Sequence, residues 1–233
     1  MKALYKKEVG YYLKNPIGYI VIVLFAVFSN FMYTKDMFAV GSASLRPFFD
    51  TLPWMFMIFI PALTMRSLSE EKRSNTIENL LALPLSETQI IMAKFNALLT
   101  VVAIALALTL TLPVTLTVVS KLYLPEILVG YFGALCMAAL FIAISMFFSS
   151  QTKNQVVALL GSILFLFFVI MTASDFAASV IPRSFIDILT FFSPTYYLES
   201  FNKGIIDLRS VFYFISFSAV FLLLTVIDLE KRD

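Results

Sequence analysis

The stretch Ile127-Leu-Val-Gly-Tyr-Phe-Gly-Ala-Leu-Cys-Met-Ala-Ala-Leu-Phe-Ile-Ala-Ile-Ser-Met-Phe-Phe148 contains no charged residue. A helix of about 20 apolar residues crosses the ~30 Å of hydrocarbon in a bilayer, so this run reads as a transmembrane helix. The same criterion picks out Pro16–Thr34, Pro47–Met65, Phe95–Ser120, Asn154–Ser174 and Ser210–Ile227. The chain is 60% hydrophobic, where soluble domains are nearer half. An all-α membrane protein of six transmembrane helices is expected, forming one compact membrane domain over residues 1–233, with both termini on one side.

The run Pro47–Met65 is the weakest of the six. It holds Pro47, Pro53 and Pro61, and Asp50 shortens its apolar part to Thr51–Met65. Prolines are tolerated in a bilayer only where neighbours satisfy the freed carbonyls. A kinked helix packed inside the protein is the preferred reading, and a re-entrant segment is the alternative. The first run starts after Asn15 and is too long for the apolar region of a cleaved signal, so it is expected to be retained.

Lys and Arg near the span ends give the orientation. Lys2, Lys6, Lys7, Lys14, Arg66, Lys72, Arg73, Lys94, Lys153, Lys231 and Arg232 fall on one side, and Lys35, Arg46, Lys121, Arg183, Lys203 and Arg209 on the other. The richer side, which holds both termini, is expected to be cytoplasmic. A net charge of +2 without a basic stripe gives no sign of nucleic acid. Cys136 is the single cysteine and there is no histidine, so no metal-spaced set can be drawn. No G-x-x-x-x-G-K-[ST] is present to cradle ATP phosphates. Asp50, Glu126, Asp175 and Asp228 lie near span ends, whereas ion-coupled carriers use buried mid-span charges. The chain is expected to have no catalytic residues.

Between the second and third runs lies Arg66-Ser-Leu-Ser-Glu-Glu-Lys-Arg-Ser-Asn-Thr-Ile-Glu-Asn-Leu-Leu-Ala-Leu-Pro-Leu-Ser-Glu-Thr-Gln-Ile-Ile-Met-Ala-Lys94. Asn75 with Glu78, and Ser86 with Gln89, have capping-box spacing. Pro84 disfavours helix at Leu83. A short helix over about Thr76–Ala82 and a second from Glu87 are predicted. Ile77, Leu80 and Leu81 share one face of the short helix, and Glu70, Glu71, Lys72 and Arg73 precede it. This suits either an amphipathic connector on the membrane surface or a docking knob with apolar anchors and a charged rim.

Glu70–Ser86, with Ile90-Ile91 and Lys94, resembles the first cytoplasmic loop of ABC-2 type transporter permeases: a charged cluster, Thr-x-Glu, a Leu pair, Pro, Ser and a later Lys. Pro53-Trp-Met-Phe, Ile60-Pro-Ala-Leu-Thr-Met-Arg66, Ile17-Gly-Tyr-Ile and Tyr197-Leu-Glu-Ser-Phe-Asn-Lys-Gly-Ile-Ile-Asp207 are similar to the gliding-motility (Gld-type) branch. The resemblance implies a coupling helix for a nucleotide-binding subunit, formed by Glu70, Glu71, Lys72, Arg73, Asn75, Thr76, Ile77, Glu78, Leu80, Leu81, Leu83 and Pro84 within loop 66–94. It implies two cytoplasmic ATPase subunits that carry ATP and Mg, and a second copy or a homologous permease. A periplasmic auxiliary subunit is also compatible with it. It places the chain in a bacterial inner membrane and favours export over import.

Residues 1–15 read as a basic interfacial helix with Leu4, Tyr5, Val9, Tyr12 and Leu13 on one side. A plain positive-inside anchor fits the same residues, and the resemblance to permeases with an elbow helix decides between them. Gly130, Ala134 and Ala138 recur every four residues, as do Ala103, Ala107, Thr111 and Thr115. Such stripes mark close helix packing, within the chain by default or at a dimer seam. In the segment 175–209, Ser193 and Pro194 suit a helix start and Gly204 its end, and Asp207 could cap the last span. Ile186, Ile188, Leu189, Phe191 and Phe192 are too apolar for free solvent, so a short external helical hairpin, re-entrant or lying on the surface, is expected. The resemblance implies an external gate-like role for Ser193, Pro194, Tyr196, Tyr197, Glu199 and Gly204. Two rivals stay open: an ATP-independent channel, and a non-transporting membrane anchor for a motility or envelope assembly. The substrate is not readable.

Overall fold

The computed structural model describes residues 1–40, 44–81, 84–119, 123–172 and 191–231. All the described elements are helices. They are α1 (Lys2–Lys14), α2 (Pro16–Val40), α3 (Arg46–Thr64), α4 (Ser69–Arg73), α5 (Ile77–Leu81), α6 (Glu87–Leu108), α7 (Thr111–Val119), α8 (Leu124–Gln151), α9 (Gln155–Met171), α10 (Pro194–Asn202) and α11 (Leu208–Glu230). Readings that involve Lys121, Asp175, Arg183, Ile186, Ile188, Leu189, Ala82, Leu83, Arg232 or Asp233, or the side chain of Leu81, fall outside the described residues.

Local chemistry sets most boundaries. Asn15 is extended because it precedes Pro16, which then opens α2. Ser86 caps α6 by accepting from the Gln89 N–H at 3.3 Å. Asn154 caps α9 through Val156 at 3.0 Å, and Asp207 caps α11 through Arg209 at 2.9 Å. At the end of α10, Gly204 has φ of 76°; its N–H donates to Phe201 and that of Ile205 to Ser200. This is a Schellman motif, and the left-handed backbone is why glycine stands there.

Five stretches are long and apolar enough to cross a membrane: α2, α3, α6 with α7, α8 and α11. α9 has 17 residues, about 26 Å of helix and short of a full ~30 Å crossing. Five described stretches therefore meet the length criterion where six were expected. The second run, α3, is one continuous helix held inside the bundle. Pro53 and Pro61 are buried, and α2, α8 and α9 pack around it.

The third run is not one straight helix. It breaks at Thr109-Leu110 between α6 and α7. Pro113 supplies no N–H to the Thr109 carbonyl, and its ring crowds that group. Thr109 is fully buried; its hydroxyl donates back to Leu106 at 2.7 Å and shares a hydrogen bond with the Tyr131 hydroxyl at 3.0 Å. The break also divides the stripe of small residues, leaving Ala107, Thr111 and Thr115 facing outward from the single chain.

α8 forms the axis of the bundle, packed by α11, α3, α10, α9 and α6. Its later part, from Gly133 to Ser150, is buried on most sides, which needs an apolar surface all round. Its stripe of small residues is used within the chain. Ala134 and Ala138 are fully buried, and a Cβ on Gly130 would lie 2.5 Å from the Phe49 ring of α3.

Candidate functional site

The segment between α3 and α6 is held to the near end of the bundle by polar contacts of residues far apart in sequence. The first set centres on α8. Ser149 Oγ accepts from the backbone N–H groups of Leu68 at 3.2 Å and Ser69 at 3.1 Å, and donates to the Met65 carbonyl at 3.0 Å. It satisfies the helix-end groups exposed where α3 gives way to α4. Lys72, with 1% of its side chain exposed, donates from Nζ to the Ser150 carbonyl and to Asp228 Oδ2 at 3.0 Å. That ammonium sits at the C-terminal ends of both α8 and α11, where the helix dipoles favour a cation.

The second set centres on α6. Lys94 is 2% exposed and its ammonium lies between Glu8 of α1 at 2.9 Å and Glu71 of α4 at 2.8 Å. Tyr11 donates to Glu70 at 3.4 Å, and Tyr5 shares a hydrogen bond with Thr100 at 2.8 Å. Burial pushes the Tyr12 phenol well above its usual value, and the Glu8 charge adds to the shift. The elbow between α1 and α2 is tight: a Cβ on Gly18 would meet the Tyr12 carbonyl oxygen at 2.0 Å. α1 packs along α6 with Leu4 and Tyr12 buried, while Leu13 stays exposed. Its apolar side therefore serves the protein core more than a membrane surface.

This geometry corrects the charged-rim reading of Glu70–Arg73. Lys72 points inward and Glu71 is tied to Lys94; within this run, Arg73 is exposed. Asn75 is not the cap of the short helix. It has φ of 54°, a left-handed conformation that asparagine tolerates, and turns the chain after α4. α5 instead starts at Ile77, with the Thr76 carbonyl accepting from Leu80 N–H at 3.1 Å. Leu80 is not presented outward. It is 8% exposed and packs with Leu4, Ile90 and Ala93, while Ile77 is half-buried against the main core. Among the described residues of 70–84, Arg73, Ser74, Asn75, Thr76, Glu78 and Pro84 are exposed. Lys72 and Lys94 could be picked out as charges beside apolar runs, but nothing local indicated their partners.

The far end is built differently. Pro194 opens α10, whose Ser193 makes no backbone cap bond; its hydroxyl pairs with Thr195 at 2.7 Å. Tyr197 stacks on Tyr213 of α11 at 4.1 Å, and the Phe201 Cβ would lie 2.5 Å from a Cβ on Gly133 of α8. Asn202 donates to Asp50 of α3 at 2.7 Å. Tyr196 and Glu199 are exposed beside an open groove of about 1230 Å³ between α10 and α11. The residues expected at an external gate lie on α10 and at its two ends, with Ser193, Pro194 and Tyr197 buried.

The described residues contain no group of His, Cys, Asp and Glu placed to hold a metal. No curated protein matches the chain in sequence. A family model described as ABC-2 family transporter protein matches residues 11–227. That match takes in every span, the 66–94 segment and α10, and the chain belongs to the ABC-2 transporter family as a multi-pass membrane component of an ABC transporter.

Proposed function

We propose that this chain is the permease subunit of an exporter driven by separate cytoplasmic ATPases. The segment 70–84 receives their movement, and the substrate passes by alternating access between two permease copies. The supporting observation is the contrast within 66–94: an exposed face of Arg73–Thr76, Glu78 and Pro84 on a segment whose opposite face is anchored to the bundle. A loop that only joined two spans would need no such anchorage. In this reading both termini are cytoplasmic, α9 completes a sixth crossing, the membrane is a bacterial inner membrane, and ATP and Mg are held by the partner. The gliding-motility branch is the subtype its motifs favour.

Purification with native partners and a tagged ATPase tests the reading. Arg73→Glu with Glu78→Lys reverses the exposed charges without touching a buried contact, and should lower ATPase recovery at matched expression. Equal recovery would sink the docking surface. ATP hydrolysis that stays with the isolated chain through a size column would overturn the assignment of catalysis to a partner. Reporter fusions after residue 231 and at Lys203 should fall on opposite sides of the membrane.

A further inference from the structure

Two routes lead from α4 into the bundle. One, through Glu71 to Lys94 and Glu8, ties α4 to α6 and to α1. The other, through Lys72 and Ser149, reaches α8 and α11, which pack along one another. At the far end the same two helices carry α10: Phe201 is seated against Gly133, Tyr197 is stacked on Tyr213, and Ser200 is bonded to Ser210 at 3.0 Å. We propose that Lys72 is a positioning residue that joins α4, α8, α11 and α10 into one mechanical body, so that displacement of the exposed 73–78 face is delivered to α10. This rests on the reading of 70–84 as the coupling segment.

The chemistry favours transmission over slippage. α4 is a single turn of five residues and cannot hold its place by its own hydrogen bonds. An apolar contact can slide at little cost. A buried ammonium held by a carboxylate and a helix-end carbonyl cannot move without leaving a buried charge uncompensated. Ser149 adds direction, since one hydroxyl bonds three backbone groups across the α3–α4 turn.

The test uses the complex with its ATPase in lipid nanodiscs. Spin labels are placed at cysteines introduced for Tyr196 on α10 and Lys35 on α2, both exposed, in a Cys136→Ala chain. The label-to-label distance is measured without nucleotide and with a non-hydrolysable ATP analogue. The wild-type distance should shift. In complexes that retain the ATPase, Lys72→Met should abolish the shift and Lys72→Arg should retain it. Asp228→Asn, at a helix end where the Ser150 carbonyl still holds Lys72, carries the test if Lys72→Met does not insert; it should reduce the shift. A wild-type complex with no shift, or a shift that persists in both Lys72→Met and Asp228→Asn, overturns the inference. Failure of any ATPase to co-purify with the wild type removes the coupling reading itself, which the recovery measurement shows separately.

Discussion

The two ends of this bundle are held by different physics. At the near end the ties are ionic and buried: Lys72 and Lys94 are 1% and 2% exposed and reach partners on other helices. Among the described residues of the far end the ties are aromatic and steric, with a hydrogen bond from Asn202 to Asp50, and the ion pairs are peripheral. Arg46–Glu126 and Glu199–Lys203 have cations 54% and 53% exposed. Surface pairs contribute little because water screens them. A buried pair adds little over apolar packing, but breaking it strands a charge. The near end is therefore specific in register and costly to disturb, which suits a region that receives force.

The strongest challenge to this contrast is Lys94→Met. It leaves Glu8 and Glu71 without their shared cation and should destabilise by about 3–5 kcal/mol. Unfolding in mixed micelles, followed by circular dichroism, reads the loss. Gly133→Ala comes next. Its new methyl collides near the Cβ of Phe201, a point that cannot swing away, and should cost about 1–3 kcal/mol while displacing α10. Ser149→Ala leaves the Leu68 and Ser69 N–H groups without their acceptor and should cost a similar 1–3 kcal/mol or so. That change should loosen the 66–94 segment, readable as faster backbone hydrogen exchange there. Glu199→Gln closes the order at about 0.3–0.5 kcal/mol, the worth of an exposed i,i+4 pair. Parity between Lys94→Met and Glu199→Gln would erase the distinction between the two ends.

Leu80 shows how the comparison refines a sequence reading. Its spacing with Ile77 and Leu81 marked an apolar face. Leu80 is covered by Leu4 of α1 together with Ile90 and Ala93 of α6, whereas Ile77 packs against the main core. Leu80→Ser should therefore act indirectly, by freeing α5 from the bundle, rather than by emptying a pocket on a partner.

Local patterns in the sequence were enough for the membrane class, the span that forms α8, the caps at Ser86 and Asp207, and the glycine that ends α10. Each depends on hydropathy over one crossing or on hydrogen bonds within a few residues. The direction in which charges point was decided only by the tertiary structure. Lys72 meets Asp228 across 156 residues, and Lys94 meets Glu8 across 86. No periodicity encodes such partners, because they are chosen by which helix ends the packed bundle brings together. The same holds for Asn75, whose side chain suits a cap and a left-handed turn equally until α4 is anchored. The break at Thr109 belongs to both levels. Pro113 removes a hydrogen bond within a run that hydropathy alone shows as one span, and the Tyr131 hydroxyl that makes the break tolerable comes from α8.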